Sequence, residues 1–179
     1  MATAPIKLIS YEEWLRMPPV QDGTDEVVKG EYRFMPSTRY PHAEIIQRLV
    51  IRFARQLDEN EVNILGSNFG LLITRDPLTC RSPDLALYWK DRDLIEDGLH
   101  VAAPDLIVEV LSPSEDRRGK EEKLEDYARI RVPEVWLVSP QSRSLEVCVL
   151  GSRNLVDGTL SPTRFPSVSI QVESIRPLR

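Results

Sequence analysis

The 179-residue chain is poor in the residues that build metal clusters and disulfide frameworks. Its two cysteines, Cys80 and Cys148, lie far apart and form no C-x-x-C pair, so neither a zinc cluster nor a disulfide scaffold is expected. No run of about 18 apolar residues is present, which argues against a transmembrane helix. Residues 1–10 have no long apolar core, so we expect no secretory signal and a reducing, cytoplasmic location.

Basic residues are not in excess. The chain has 23 Lys and Arg against 28 Asp and Glu, a formal net charge of −5. This balance gives no overall support to nucleic-acid binding, so any basic surface has to be local. With 41% hydrophobic and 28% charged residues the composition is that of a globular protein, and we expect one domain over residues 1–179 with its core at about 10–175.

Alternating helix and strand patterns predict an α/β fold with one central mixed sheet flanked by helices. A short helix capped by Ser10 is expected first. Apolar residues at helical spacing predict longer helices over 41–58 and 115–130, the second capped by Ser114. The predicted strands are two within 26–35 around a turn near Lys29-Gly30, then 62–65, 69–74, 84–89, 105–111, 134–138 and 145–150, a hairpin at 155–160 and a weak strand at 168–170.

Two carboxylates lie in runs that otherwise have the pattern of buried strands. Glu109 is inside the apolar run 105–111, and Asp84 begins the run 84–89. Because side chains alternate along a strand, Glu109 shares a face with Ile107 and Leu111. A buried carboxylate is costly unless it is paired, protonated or bound to a metal. Asp84 and Glu109 are therefore candidates for half of a divalent-metal site, provided that their strands are neighbours.

Lys123 falls in the same sector of its predicted helix as Leu124 and Tyr127, the side expected to face the sheet. An ammonium there needs a carboxylate, a phosphate or a depressed pKa. Asp, Glu and Lys together suit Mg²⁺, which prefers oxygen ligands and retains waters and substrate phosphates. Such an ion activates bound water, and a nearby lysine can position that water and stabilise the transition state.

Each of these residues also has a simpler interpretation when it is taken alone. Asp84 could bind the backbone at a turn, Glu109 could belong to a structural ion pair, and Lys123 could be a surface lysine. The combination, in this order along the chain, favours a site.

Four segments, which follow one another in order, carry a family resemblance. They are Ser82-Pro83-Asp84, PDLIVEVLSPS at 104–114, KLEDY at 123–127 and VPEVWLV at 132–138. Together they resemble the PD-(D/E)XK nuclease superfamily, and more closely its largely uncharacterised branch of restriction endonucleases. Gly30-Glu31, Met35-Pro36, His42 and Ser161-Pro162 are similar to that branch as well, so the resemblance covers about residues 10–175.

The resemblance implies a restriction-endonuclease-like fold and hydrolysis of DNA with Mg²⁺, for which Mn²⁺ could substitute. Asp84 would be the acid of the PD element and Glu109 the acid of (D/E)XK, and both would bind the metal. The lysine expected two residues after Glu109 is replaced by Leu111. In this branch a lysine of the following helix takes that role, which corresponds to Lys123.

The chain departs from the branch at two further positions. Lys29 stands where Asp often precedes Gly30, and Arg131 stands where Gly often precedes Val132. Neither position is an expected metal ligand.

Four residues are candidates for accessory roles in orienting the lysine or completing the metal site: Glu31, His42, Glu44 and Tyr127. His42, at the start of the first long helix, could act as a catalytic residue, but a capping or structural role is the more common one for such a histidine. Two basic groups are candidates for DNA contacts: Arg48, Arg52 and Arg55 on the first long helix, and Arg117 and Arg118 just before Gly119-Lys120. Such arginines are often only solvated or paired with nearby acids.

We expect a homodimer, because cleavage of both strands of a duplex needs two sites related by a two-fold axis. Two other functions remain open at this point. One is a catalytically inactive, nuclease-like module for binding or dimerisation, and the other is a hydrolase of RNA or of a smaller phosphate ester.

Overall fold

Two six-stranded β-sheets hold most of the regular structure. The computed structural model describes residues 8–37, 40–67, 69–113 and 116–175. The helices are α1 (Tyr11–Leu15), α2 (Tyr40–Ala54), α3 (Arg117–Arg129) and a 3₁₀ turn at Val172–Ile175. The strands are β1 (Gly23–Val28), β2 (Glu31–Pro36), β3 (Val62–Gly66), β4 (Leu71–Arg75), β5 (Leu78–Arg81), β6 (Leu85–Trp89), β7 (Ile95–Glu96), β8 (Leu99–His100), β9 (Leu106–Val110), β10 (Glu134–Ser139), β11 (Ser144–Val149), β12 (Ser152–Val156), β13 (Thr159–Leu160) and β14 (Ile170–Gln171).

The central sheet has the strand order β12-β11-β10-β9-β6-β3. β9 and β10 run parallel, and α3 forms the crossover that a parallel pair requires. The other neighbours in this sheet run antiparallel. The sheet is therefore mixed, which confirms the predicted α/β class.

Different helices cover the two faces of the central sheet. Val108 of β9 belongs to a buried cluster with Leu49 and Phe53 of α2. Its neighbour Ile107 belongs to a cluster on the other face, with Tyr127 of α3. The strand therefore alternates between the two sides, as the sequence predicts, and the sheet is flanked by helices.

A second sheet, of order β2-β1-β5-β4-β8-β7, corrects the expectation of a single sheet. The β1–β2 hairpin turns at Lys29 and Gly30, whose φ angles of 53° and 83° suit a type I′ turn. Val27 of β1 pairs with Cys80 of β5, a strand that the sequence patterns do not predict. The chain then passes directly from β5 into β6 of the central sheet, so the two sheets meet at residues 82–84.

The predicted helices are close to the observed ones, with shifted ends. α1 has the predicted Ser10 cap, which accepts a hydrogen bond from the Glu13 N–H. α2 ends at Ala54, four residues before the predicted end. α3 begins at Arg117, with the side chain of Asp116 as its N-cap. Ser114, the predicted cap, lies outside the described residues.

The predicted hairpin over 155–160 is wrong. β12 pairs with β11 through a turn at Leu150 and Gly151, whereas β13 pairs with β14. Asp157 and Gly158 therefore connect two different sheets. Ile170 of the predicted weak strand lies in β14. Among the described residues, no helix is long and apolar enough to cross a membrane.

Candidate active site

The pairing of β6 with β9 places Asp84 and Glu109 side by side. The two strands are antiparallel neighbours, and Leu85 pairs with Val108. Extending that register by one residue brings Asp84 opposite Glu109. The backbone N–H of Val110 donates to Oδ2 of Asp84 at 2.7 Å, which fixes the aspartate against the end of β9.

Asp84 also contacts His42, the second residue after the start of α2. The Nε2 atom of His42 lies 3.1 Å from Oδ2 of Asp84. Both contacts therefore fall on the same carboxylate oxygen, and no described residue donates to Oδ1. The accessory candidate His42 is thus part of the site, and one oxygen of Asp84 is left for a cation.

Glu109 is buried, with 1% of its surface exposed, and both of its carboxylate oxygens have partners. Lys123 donates to Oε2 at 2.8 Å, and the hydroxyl of Tyr127 donates to Oε1. Burial raises the pKa of Glu109 to about 7, the ammonium of Lys123 opposes this shift, and the charge of Asp84 adds to it. The pKa of Tyr127 is raised well above its usual value by burial and by Glu109, so its hydroxyl keeps the proton that it donates.

Lys123 and Tyr127 reach the same carboxylate because they are one turn apart on α3. Leu111, where the superfamily has its lysine, is instead packed against the apolar cluster between the sheet and α3. The structure therefore brings together Asp84, Glu109 and Lys123 as the sequence predicts, with the ammonium supplied from the helix.

These side chains line a cleft of about 1470 Å³. Asp22, residues 23–26 of β1 and residues 33–36 of β2 contribute to its lining, and the central sheet contributes Glu109 and Val110. Small-molecule sites usually have volumes of about 300–1,000 Å³. The cleft is thus large enough for a polymeric substrate.

Comparison with known proteins places the chain in a family. Residues 11–174 match the model of the Uma2 family, described as "Putative restriction endonuclease". The chain belongs to this family. The uncharacterised protein slr1290 of Synechocystis sp. (strain PCC 6803) is 28% identical over 146 residues, which are 81% of this chain and 75% of that protein.

A solved structure shares the fold of this Uma2 family member. It is a crystal structure from Anabaena variabilis, described as a "putative nuclease belonging to DUF820". The TM-score is 0.79 at 16% sequence identity, and the match covers 93% of this chain and 97% of that one. The two comparisons confirm the resemblance to the restriction-endonuclease-like branch and its fold.

The remaining predicted residues lie away from the Uma2 cleft or at its rim. Glu31 is exposed at the start of β2, and Glu44 pairs with Arg48 at 2.7 Å on α2. Neither lines the cleft. Arg48 and Arg52 also bind Ser174 of the 3₁₀ turn, so these two predicted DNA contacts face the end of the described chain.

The other predicted arginines are solvent-accessible. Arg55 is exposed just after α2. Arg117 and Arg118 are exposed in the first turn of α3, next to Gly119, which lines the cleft. Of the predicted basic groups, the pair at 117–118 is therefore placed at the cleft rim.

A buried ion network beside the cleft was missed by the sequence reasoning. Arg81 at the end of β5 is 1% exposed and binds Glu26 of β1 at 2.8 Å and Asp126 of α3 at 2.6 Å. Glu122 of α3 lies 3.3 Å from Arg81 and 2.6 Å from Arg33 of β2. An isolated charge next to an apolar run, the signal used for Glu109, would also have identified Glu26 and Arg81.

The network is joined to the site at two points. Glu26 accepts a hydrogen bond from the Ser82 N–H at 3.1 Å, two residues before Asp84. Asp126 lies between Lys123 and Tyr127 on α3. The ion pairs of Arg81 therefore fix both the chain that carries the aspartate and the helix that carries the lysine.

The two carboxylates suit a cation of the Mg²⁺ type. This ion is usually bound through one or two carboxylates together with waters and substrate phosphates. The charge of Asp84 contributes to the raised pKa of Glu109, so the two acids repel each other and a cation would relieve that repulsion. Within the described ranges there is no group of three or more His, Cys, Asp and Glu side chains arranged to hold a metal.

Proposed function

We propose that this Uma2 family member is a Mg²⁺-dependent endodeoxyribonuclease that hydrolyses phosphodiester bonds in DNA. The observation that carries the proposal is the environment of Glu109. Its buried carboxylate lies opposite a second acid, Asp84, and accepts a hydrogen bond from the ammonium of Lys123 at 2.8 Å on the wall of a large cleft. Family membership and the shared fold support this assignment.

The side chains have distinct roles in the proposed reaction. Asp84 and Glu109 would hold the cation, which lowers the pKa of a bound water and neutralises phosphoryl charge. Lys123 orients the attacking water and stabilises negative charge on the phosphoryl group. Tyr127 holds Glu109 in its orientation. The water oxygen bonds to phosphorus while the bond from phosphorus to the leaving sugar oxygen breaks, and the water loses a proton to solvent while the leaving oxygen gains one.

Two observations weigh against the alternatives. A purely structural ion pair between Glu109 and Lys123 has no need of a second acid, yet Asp84 lies opposite the buried Glu109, where the two negative charges repel each other. The cleft volume of about 1470 Å³ exceeds what a small phosphate ester needs. A homodimer stays part of the proposal for cleavage of duplex DNA, where two sites must act on two strands.

The decisive test compares Glu109→Gln with Glu134→Gln on supercoiled duplex DNA and on single-stranded DNA, with Mg²⁺, with Mn²⁺ and with EDTA. Glu134 is also a buried glutamate, 2% exposed, but it binds Trp136 and the Thr163 N–H away from the cleft lining. We expect metal-dependent cleavage by the native chain and by Glu134→Gln, and none by Glu109→Gln. Cleavage by Glu109→Gln at the native rate would contradict the mechanism.

Metal titration separates an enzyme from an inactive module. A protein that binds Mg²⁺ or Mn²⁺ through Asp84 and Glu109 gains stability as RT ln(1 + [L]/Kd). We expect the melting temperature of the native chain to rise with either ion and that of Glu109→Gln to rise much less. Equal responses of the two proteins would place the bound ion elsewhere.

A further inference from the structure

The cationic side chains of the cleft are already neutralised by carboxylates. Three lysines and arginines are among the described residues that line it: Arg33, Arg81 and Lys123. Each has a carboxylate oxygen within 2.8 Å, on Glu122, Asp126 and Glu109 respectively. The lining also contains five acids: Asp22, Asp25, Glu26, Asp84 and Glu109. Its formal charge is therefore negative before any metal binds.

A duplex is a poor match for such a surface. Proteins bind duplex DNA mainly by neutralising phosphates with lysine and arginine, and most of their nonspecific affinity comes from this source. Apart from Arg117 and Arg118, which are exposed at the rim, the described lining has no lysine or arginine that is not already paired with a carboxylate and could bind the phosphates of two backbones. Affinity for a nucleic acid has to come from another kind of contact.

Aromatic side chains supply that contact. Trp14, Phe34 and Phe69 line the cleft. Trp14 and Phe69 pack against buried apolar clusters, whereas Phe34 is 49% exposed on the edge strand β2. A Cβ on Gly23 would come within 2.7 Å of the Phe34 ring, so the glycine lets this ring lie across β1. Bases of single strands stack on such rings with little regard to sequence, and the bases of an intact duplex are not available for this.

We infer that the cleft accepts an unpaired DNA strand, with bases stacked on Phe34 and the backbone passing Asp84 and Glu109. This inference rests on the proposed function and names its substrate class. The rim arginines Arg117 and Arg118 are placed to contact phosphates of that strand where it leaves the cleft. Because an unpaired strand needs one cut, a single site suffices for it.

Binding tests the inference without catalysis, in the Glu109→Gln background. A fluorescently labelled oligonucleotide is titrated by anisotropy in Mg²⁺, as a single strand and annealed to its complement. We expect the single strand to bind roughly tenfold or more tightly than the duplex. We also expect its affinity to depend only weakly on salt, since few phosphates are neutralised.

Substitutions of Phe34 identify the stacking contact. Phe34→Leu keeps apolar volume without a π face and is expected to weaken single-strand binding by roughly 5–150-fold, whereas Phe34→Trp should retain it. Tyr32→Ala is the matched control, since Tyr32 is 41% exposed on the same face of β2 but does not line the cleft. We expect this control to bind as the parent does.

Three results would overturn the inference: duplex binding as tight as single-strand binding, unchanged binding by Phe34→Leu, or tighter binding of an RNA strand of the same sequence. None of them affects cleavage that depends on Glu109. Loss of the substrate assignment is therefore distinguishable from loss of the proposed nuclease function.

Discussion

Arg81 donates from both Nε and Nη2 to a single oxygen of Asp126, at 2.9 and 2.6 Å, in a place where both side chains are almost fully excluded from water. Opposing carboxylates raise the pKa of Arg81 above its usual value although its burial lowers it, so the guanidinium stays charged. Because Asp126 lies between Lys123 and Tyr127, this ion pair sets the orientation of the helix face that carries the site.

Substitution of Arg81 should destabilise the folded protein strongly. Arg81→Met would leave Glu26 and Asp126 buried without their cation, and breaking a buried pair in this way costs about 3–5 kcal/mol of unfolding free energy. Arg75→Met is the control, because Arg75 and Glu96 form an ion pair that is about half exposed. Such a pair contributes at most about 1 kcal/mol. Urea unfolding measures the unfolding free energies of both variants. Similar losses of unfolding free energy for the two variants would contradict a structural role for the network.

The stability of the metal-free protein should depend on pH through Glu109. Its folded pKa is about 7, above the ordinary carboxyl value of 4.5, so its contribution to stability is fully present below about pH 4.5 and is lost as the pH rises through 7. Without divalent ions, Glu109→Gln should therefore be more stable than the native chain at pH 8, by up to about 3 kcal/mol. The difference should disappear near pH 4.

Added Mg²⁺ provides a control for the pH dependence that Glu109 causes. Added Mg²⁺ should stabilise the native chain more at pH 8 than at pH 6, because at pH 6 the ion has to displace the proton on Glu109. Thermal unfolding at several pH values, with and without Mg²⁺, measures both effects. If Glu109→Gln were less stable than the native chain at pH 8 in EDTA, the ionised carboxylate of Glu109 would not destabilise the folded protein, and the prediction would be wrong.

Residue patterns within single elements were sufficient to predict the strands of the central sheet, the burial of Glu109 and the inward orientation of Lys123. Alternation along β9 predicted that Glu109 shares the face of Ile107, and the helical spacing of Leu124 and Tyr127 predicted that Lys123 faces the sheet. Both predictions depend only on local periodicity. The approach of Asp84 to Glu109 depends on β6–β9 pairing, which the family resemblance made a reasonable expectation.

Features that depend on contacts between remote segments were not predicted. β5 has four residues and β7 and β8 have two each, which is too short for a periodic signal. In the sequence, Arg81 has the pattern of a polar residue at the end of a short strand. Its buried ion pairs form only because β1 and α3 place Glu26 and Asp126 next to it. The arginines of α2 form a basic stripe in the sequence, but Arg48 and Arg52 bind Ser174, more than a hundred residues away.

Lys123→Ala should reduce the rate of cleavage far more than metal affinity. The ammonium contacts Glu109, but its proposed role is to orient water and stabilise transition-state charge, and loss of such a contact costs about 10²–10³-fold in rate. Lys120→Ala is the matched control, since Lys120 is one turn earlier on α3 and pairs with Glu146 at 3.1 Å, outside the cleft lining. Single-turnover rates over a range of Mg²⁺ concentrations separate the two quantities. Equal losses in rate and in metal affinity would show that Lys123 only organises the carboxylates.

Arg131→Gly should stabilise the protein without changing cleavage. Arg131 follows α3 with a φ of 64°, and it donates to the Ala128 carbonyl while the next N–H, of Val132, donates to the Tyr127 carbonyl. This is a Schellman motif, in which the left-handed position favours glycine. A left-handed conformation costs an L-residue about 1–2 kcal/mol, and glycine removes this cost. Because glycine also has the greater conformational entropy in the unfolded chain, we expect a net gain of about 0.5–1 kcal/mol in unfolding free energy. Arg129→Gly, two residues earlier and inside the helix, should instead cost about 1 kcal/mol. Urea unfolding of the two variants tests the interpretation, because destabilisation by both would show that the conformation of Arg131 carries no strain for glycine to relieve.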